Sequence, residues 1–287
     1  MIVDLEKKLA EFVALETTAF NQAQNQKAID LLLSHFNEMG FEVSVEGESQ
    51  YYQPVIVAKY TNPNSNGKVV IYGHYDVEPI KSTEVWNTPP FELTEKKGRL
   101  YGRGIADNKG VLLTRILALQ EMLDSGLELP NILWVIQGEE EVEGETAFEV
   151  FSKHFTEFNA RFYLEETGMH RAGQPLILFV SNTEKAIETI TDLNNTLYNG
   201  EALVENRKLN KFSKCAFFEN IPPEGIYLAF GPNDEFCNIH GADESLGKLN
   251  LLAHSIVFMK FIDWAQRQQL NTQTSCKGDS ISNQTVK

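Results

Sequence analysis

The sequence predicts an α/β fold, a three-layer sandwich in which helices flank a mixed, mostly parallel central sheet. Two observations carry this reading. Stretches with helical apolar spacing alternate with short apolar runs along most of the chain, as in strands buried under helices. The runs Val69–Tyr72 and Ile132–Ile136 are apolar at every position, as strands covered on both faces are.

The elements follow in order. Leu5, Leu9, Phe12 and Val13 recur at helical spacing, and Ile29, Leu32, Leu33 and Phe36 do the same. The second helix should stop at Met39-Gly40, where glycine can take the left-handed position past a helix end. Phe41 to Val45 alternates as a half-exposed strand. Val55–Ala58 and Val69–Tyr72 read as strands, the latter after an Asn66-Gly67 turn. Leu112–Leu123 is a helix, Ile132–Ile136 a strand, and Thr146–Phe155 a helix. Phe162–Leu164, Ile177–Val180 and Ile226–Phe230 are further strands, and Leu246–Gln266 is the last helix. Asn182 to Pro223 mixes polar and apolar residues without a clean period, so a helix plus a long connection is expected there. From Gln268 the chain is polar and patternless, predicting a disordered tail over 268–287 behind a single domain over 1–267.

Composition excludes several classes of protein. An apolar content of 42% and an aromatic content of 10% in 287 residues suit a large buried core. A net charge of −15 and a pI near 4.9 leave no basic stripe to meet phosphates, so neither nucleic acid nor an anionic membrane is an expected partner. Cys215, Cys237 and Cys276 are too scattered for a disulfide framework or a CxxC zinc site. The first residues turn charged at once, unlike a signal peptide, and no run approaches the ~18 apolar residues that span a bilayer. A cytoplasmic protein is expected.

Five polar clusters interrupt this apolar framework. Gly73-His74-Tyr75-Asp76 ends the Val69–Tyr72 strand, where ligands gather in open α/β sheets. Asp76 could accept a hydrogen bond from the His74 ring nitrogen that faces away from a metal, fixing the tautomer. Asp107 lies in the glycine-rich loop Tyr101–Gly110 just before a helix. Its two oxygens could bridge two cations ~3.5–4 Å apart; alternatively it caps the helix. Glu139-Glu140-Glu141 follows the strand at Ile132–Ile136, and Glu165-Glu166 follows the strand at Phe162–Leu164. Adjacent carboxylates repel unless cations or water share their charge, so each pair is either a ligand site or a solvated acidic loop. His240 lies ahead of the last helix. His35 and His254 fall inside helices, His154 near a helix end, and His170 close to Glu166 in sequence.

The segments Gly73–Pro79, Trp86 with Pro89-Pro90-Phe91, Leu100–Gly110, Glu166–Met169 and Asn238–His240 together resemble one family. It is the co-catalytic zinc metallopeptidase family of carnosinase-type dipeptidases, aminoacylases, acetylornithine and succinyl-diaminopimelate deacylases, and glutamate carboxypeptidases. The resemblance runs from Leu5 to Gln266 and favours the dipeptidase branch. It implies two divalent ions, zinc foremost, with cobalt or manganese as alternatives. His74, Asp107 and Glu166 would hold one ion, and Asp107, Glu141 and His240 the other. Asp76 would orient His74, Glu140 would be the general base, and the Asp107–Asn108 peptide would be cis. The order Glu140-Glu141-Val142 suits the family better than Glu139-Glu140-Glu141.

The implied reaction is amide hydrolysis of a dipeptide or short peptide by a water that the two ions share. The alternatives are an N-acyl amino acid deacylase and a metal-binding pseudoenzyme. Glu166 and His240 are only 74 positions apart (240 − 166); a compact domain takes ~50 residues or more and 181–223 must also supply part of the catalytic layer, which leaves too little for the family's lid and dimerisation domain. The lid is therefore expected to be missing or reduced within 181–223, and the protein to be a monomer.

Overall fold

In the computed structural model, the described residues are 2–142, 144–181, 184–207 and 215–274. The chain opens with helices α1 (Ile2–Val13) and α2 (Gln22–Glu38), then strands β1 (Glu42–Glu46), β2 (Val55–Tyr60) and β3 (Lys68–His74). Gly40, just past α2, has φ +78°, the left-handed value expected at that stop. Strands β4 (Thr94–Lys96) and β5 (Arg99–Tyr101) precede α3 (Lys109–Asp124) and β6 (Asn131–Gln137). Then come α4 (Thr146–Phe158), β7 (Phe162–Leu164), β8 (His170–Arg171) and β9 (Gln174–Val180). The remainder is α5 (Glu184–Tyr198), β10 (Leu203–Asn206), α6 (Ala216–Glu219), β11 (Ile226–Ala229), β12 (Ser245–Gly247) and α7 (Lys248–Thr274).

The main sheet runs β1-β2-β6-β3-β7-β11-β9-β10, with β8 on β9. Strands β6, β3, β7 and β11 are mutually parallel; β2 and β9 run against them, and β10 runs with β9. The mixed, mostly parallel sandwich is therefore present. Alternation along β3 sorts its two faces. Val69 and Ile71 pack into the core under α1, α2, α3, α5 and α7, while Val70 and Tyr72 pack against α4 and α6. Trp134 on β6 meets Phe36 of α2 edge-on at 5.3 Å and is fully buried. Burial of this kind stabilises by roughly 1.5–3 kcal/mol for each large apolar side chain.

Three features differ from expectation. The stretch 182–223 is not a helix and a plain connection. Its described residues add strand β10 to the sheet edge and helix α6 to the α4 face, with Phe217 stacked on Tyr72 at 4.7 Å. A small second sheet, β12-β5-β4, had no signal because its strands are three residues long and partly polar. Finally, α7 continues to Thr274, into the stretch expected to be a tail, while 275–287 lie outside the described residues.

Candidate metal centre

The carboxyl ends of the parallel strands converge on one cleft, as the position of ligands in open α/β sheets requires. His74 is the last residue of β3, Glu140 and Glu141 follow β6, Glu165 and Glu166 follow β7, and Asp107 immediately precedes Asn108 and α3. His240 arrives on the loop between β11 and β12. Three groups of side chains could hold a metal ion, each with its ligand atoms within 4.8 Å of one another: His74–Asp107–Glu166, Asp107–Glu141–His240, and His74–Glu140–Glu141.

Asp107 is at the centre. Its Oδ1 lies 3.0 Å from Nε2 of His74, and its Oδ2 lies 3.4 Å from Nε2 of His240. The same His240 nitrogen lies 2.9 Å from Oε2 of Glu141. His74 is fully buried, whereas His240 is 44% exposed. The Asp107–Asn108 peptide is cis.

Asp76 does two things here. The His74 Nδ1 lies 3.2 Å from the Asp76 backbone oxygen and 3.4 Å from its Oδ1, so the ring's far nitrogen faces this residue. The other carboxylate oxygen, Oδ2, accepts from the Glu141 backbone N–H at 2.9 Å. Asp76 thus links the loop after β3 to the loop after β6.

The triple glutamate separates in space. Glu139 turns inward, and its carboxylate accepts from the Thr146 N–H at the start of α4 at 3.3 Å. The turn passes so close to this carboxylate at Gly144 that a Cβ there would collide with it. Glu140 and Glu141 face the cleft. Burial, then the negative charges of Asp107, Asp76 and Glu141, raise the Glu140 carboxyl to about 7, against a lowering by His74.

Opposing forces act on the other groups. Burial would raise Asp107, but hydrogen bonds with His240 and His74 hold it well below the usual carboxylate range. Burial would lower His74, but Asp107 and Asp76 push it well above the usual imidazole value. Glu166 is raised, mainly by burial and by its neighbours Glu140, Glu165 and Asp107. So many carboxylates in one buried cleft are costly unless positive charge balances them. The buried oxygens Glu141 Oε1 and Glu166 Oε2 have no hydrogen-bond partner among the described residues. An imidazole and carboxylate donor set with open oxygens fits a divalent cation.

Of the remaining histidines, His254 accepts from Arg115 Nε at 3.1 Å inside the core, and His154 pairs with Glu46 on the surface. His170 belongs to β8, and none of the candidate groups includes it.

Three supporting residues escaped the sequence reading. Asn108 receives the His74 N–H on Oδ1 at 3.3 Å and donates from Nδ2 to the Glu166 carbonyl at 3.0 Å. Arg115, fully buried, donates to the carbonyls of Glu165 at 2.6 Å, Thr167 at 3.4 Å and Phe230 at 3.1 Å. Glu244, also fully buried, receives four donors from the loop that carries Asp107. A lone arginine in the apolar helix Leu112–Leu123 was the one available signal.

A parallel-centred sandwich with imidazoles and carboxylates meeting at its strand ends is the arrangement of a candidate metal centre, and the class it points to is the metal-dependent peptidases, as the family match shows. The chain belongs to Peptidase family M20/M25/M40, whose model matches residues 70–263; this is a metal-dependent family. It is 30% identical over 151 residues to the Cys-Gly metallodipeptidase dug1 of Schizosaccharomyces pombe, covering 48% of this chain and 32% of that protein. It is 41% identical over 113 residues to the Beta-Ala-His dipeptidase of Homo sapiens, covering 39% of this chain and 22% of that one. These matches therefore span about a third or less of the relatives' own lengths. The fold is shared with human carnosine dipeptidase 1 (TM-score 0.72, 15% identity, 92% of this chain and 97% of that chain). It is also shared with the dipeptidase Dug1p of Saccharomyces cerevisiae (TM-score 0.75, 11% identity, 92% of this chain and 96% of that chain). Among the described residues no helix is long and apolar enough to cross a membrane.

Proposed function

We propose that this chain hydrolyses the amide bond of a dipeptide or short peptide, using two divalent ions that share Asp107. The observation that carries this reading is the opposed pair of contacts at Asp107, one oxygen to His74 and the other to His240. A carboxylate facing two imidazoles in this way suits a bridging ligand. In this reading His74, Asp107 and Glu166 hold one ion, and Asp107, Glu141 and His240 the other. Bound there, the ions supply positive charge that polarises the scissile carbonyl and acidifies water. Zinc suits the donors best, and cobalt or manganese suit the same set.

The chain's own residues do the rest. Glu140 takes a proton from the attacking water and delivers it to the leaving amine. Asp76 fixes the orientation of His74 and, through the Glu141 N–H, the start of the acidic turn. The dipeptidases among its relatives support a peptide substrate over an acylated amino acid. We read residues 1–267 as one catalytic domain, with the described parts of 181–223 completing its sandwich and the lid missing or reduced there. We also read it as a cytoplasmic protein, and as a monomer because the family's dimerisation domain is not recognisable between Glu166 and His240.

The test is a panel of dipeptides, assayed beside N-acetyl amino acids, with protein loaded with zinc, cobalt or manganese. Wild type should cleave dipeptides, and Glu140→Gln should lose at least about 10²-fold in turnover while its bound metal is unchanged. Undiminished turnover in Glu140→Gln would remove that residue from the mechanism. A loaded wild type inert toward every dipeptide would remove the peptidase reading.

A further inference from the structure

We propose that Glu244 is the positioning residue for the ion that Asp107, Glu141 and His240 would hold (the outer ion), tying the loop that carries Asp107 to the loop that carries His240. The proposal rests on the two-ion reading above. Glu244 follows His240 by four residues and directly precedes β12. Its Oε1 accepts from the backbone N–H groups of Ala106 at 2.9 Å and Asp107 at 3.2 Å. Its Oε2 accepts from Gly104 N–H at 3.0 Å and from Arg103 Nη1 at 3.0 Å. The Glu244 carbonyl receives the Gly102 N–H at 3.1 Å. One fully buried side chain therefore engages three backbone N–H groups of the segment leading into Asp107, together with the Arg103 guanidinium.

The His240 loop has reason to need an anchor. Asn238, His240 and Asp243 all have positive φ, of 50°, 61° and 56°. Such residues persist when their surroundings over-determine them. Asp243 is tied to Asn87 by hydrogen bonds of 2.7 and 2.5 Å, β12 pairs with β5, and Arg103 Nη1 reaches the Gly241 carbonyl at 3.4 Å; among the described residues it is Glu244 that joins this loop to the Asp107 backbone. His74 and Glu166 are held separately, by Asn108 and Arg115. Asp107 is common to both triads, but His240 belongs to one of them and shares its loop with Glu244, so damage to Glu244 should fall more heavily on the Asp107–Glu141–His240 triad.

Glu244→Gln keeps the volume but places an NH2 donor against backbone N–H donors, leaving buried donors unpaired. Loss of a partner that orients metal ligands typically costs 10–100-fold in metal affinity. The experiment titrates metal-free protein with cobalt(II), followed by calorimetry and visible absorption. It compares wild type, Glu244→Gln, Glu244→Asp and Glu84→Gln. Glu84 shares Arg103 with Glu244 at 3.0 Å but contributes no other bond to the Asp107 loop.

Wild type should bind two ions in two steps. Glu244→Gln should weaken the second step about 10–100-fold, with the spectrum of the first preserved, and Glu84→Gln should leave both steps intact. Should Glu244→Gln fail to fold, Glu244→Asp, with its carboxylate drawn back by one methylene, carries the same expectation. Two unchanged steps in a folded Glu244 variant overturn the clamp alone. Equal weakening of both steps, or the same loss in Glu84→Gln, reduces Glu244 to general support and also overturns it. A wild type that binds fewer than two ions overturns the two-ion reading and this proposal together.

Discussion

Asp107 shows how a single side chain becomes chemically committed: each of its oxygens faces a different imidazole, and its backbone N–H is spoken for by Glu244. A similar economy operates at Asp234, which receives Arg99 Nη1 at 2.8 Å and Nη2 at 3.0 Å just upstream of the His240 loop. Burial would raise this carboxyl, but the Arg99 fork lowers it below its ordinary value. A carboxyl lowered on folding contributes stability above its unfolded pKa of about 3.9 and loses it as pH falls through the folded value. Wild type should therefore lose more stability than Asp234→Asn when acidified from about pH 5 toward pH 3, as followed by urea unfolding. Parallel pH profiles for the two proteins would contradict this. The prospective ligands His74, Asp107, Glu141, Glu166 and His240 were legible because metal-binding chemistry restricts side-chain type and because four of them follow apolar runs or a glycine loop. Asn108, Arg115 and Glu244 were not, because their work is done through backbone carbonyls and N–H groups that any sequence possesses.

At the scale of elements, the long strands and helices announce themselves by burial. Strands β3 and β6 are apolar on both faces because helices cover both, and α4 shows its buried side as Ala147, Val150, Phe151, Phe155 and Phe158. Short elements carry no such period. Strands β4, β5 and β12 hold Glu95, Lys96, Arg99 and Ser245, so nothing in them separates a strand from a loop. Helix α6 is one turn long and is defined by what it meets. Phe217 stacks on Tyr72 and approaches Phe155 edge-on at 5.7 Å, at 1% exposure. Replacing it with alanine should destabilise the protein by about 3–5 kcal/mol, the usual cost of emptying a buried phenylalanine site. The midpoint in urea reads this directly. A change within about 0.5 kcal/mol, the range of surface substitutions, would mean that α6 is not part of the core. The end of the last helix is hidden in the sequence for a related reason. Beyond Gln266 its sequence is polar, and helical hydrogen bonding continues to Thr274 without an apolar stripe to mark it.

Across the whole molecule, the sheet order explains why distant stretches of sequence meet. β6, β3, β7 and β11 are neighbours and parallel, so their carboxyl ends open on one side, and the loops after them deliver residues from 74 to 240 to one cleft. The fold class was visible in the alternation of elements, but the strand order was not, since apolar runs do not name their neighbours. The same arrangement concentrates negative charge. Asp76, Asp107, Glu140, Glu141 and Glu166 crowd a buried space, and only His74 and His240 balance them within the candidate groups. In the proposed reading, two divalent cations would complete that balance. Anomalous diffraction from crystals grown with zinc measures this most directly. It should show two peaks about 3.5–4 Å apart on either side of the Asp107 carboxylate. A single peak away from Asp107, or none in the cleft, would contradict the account.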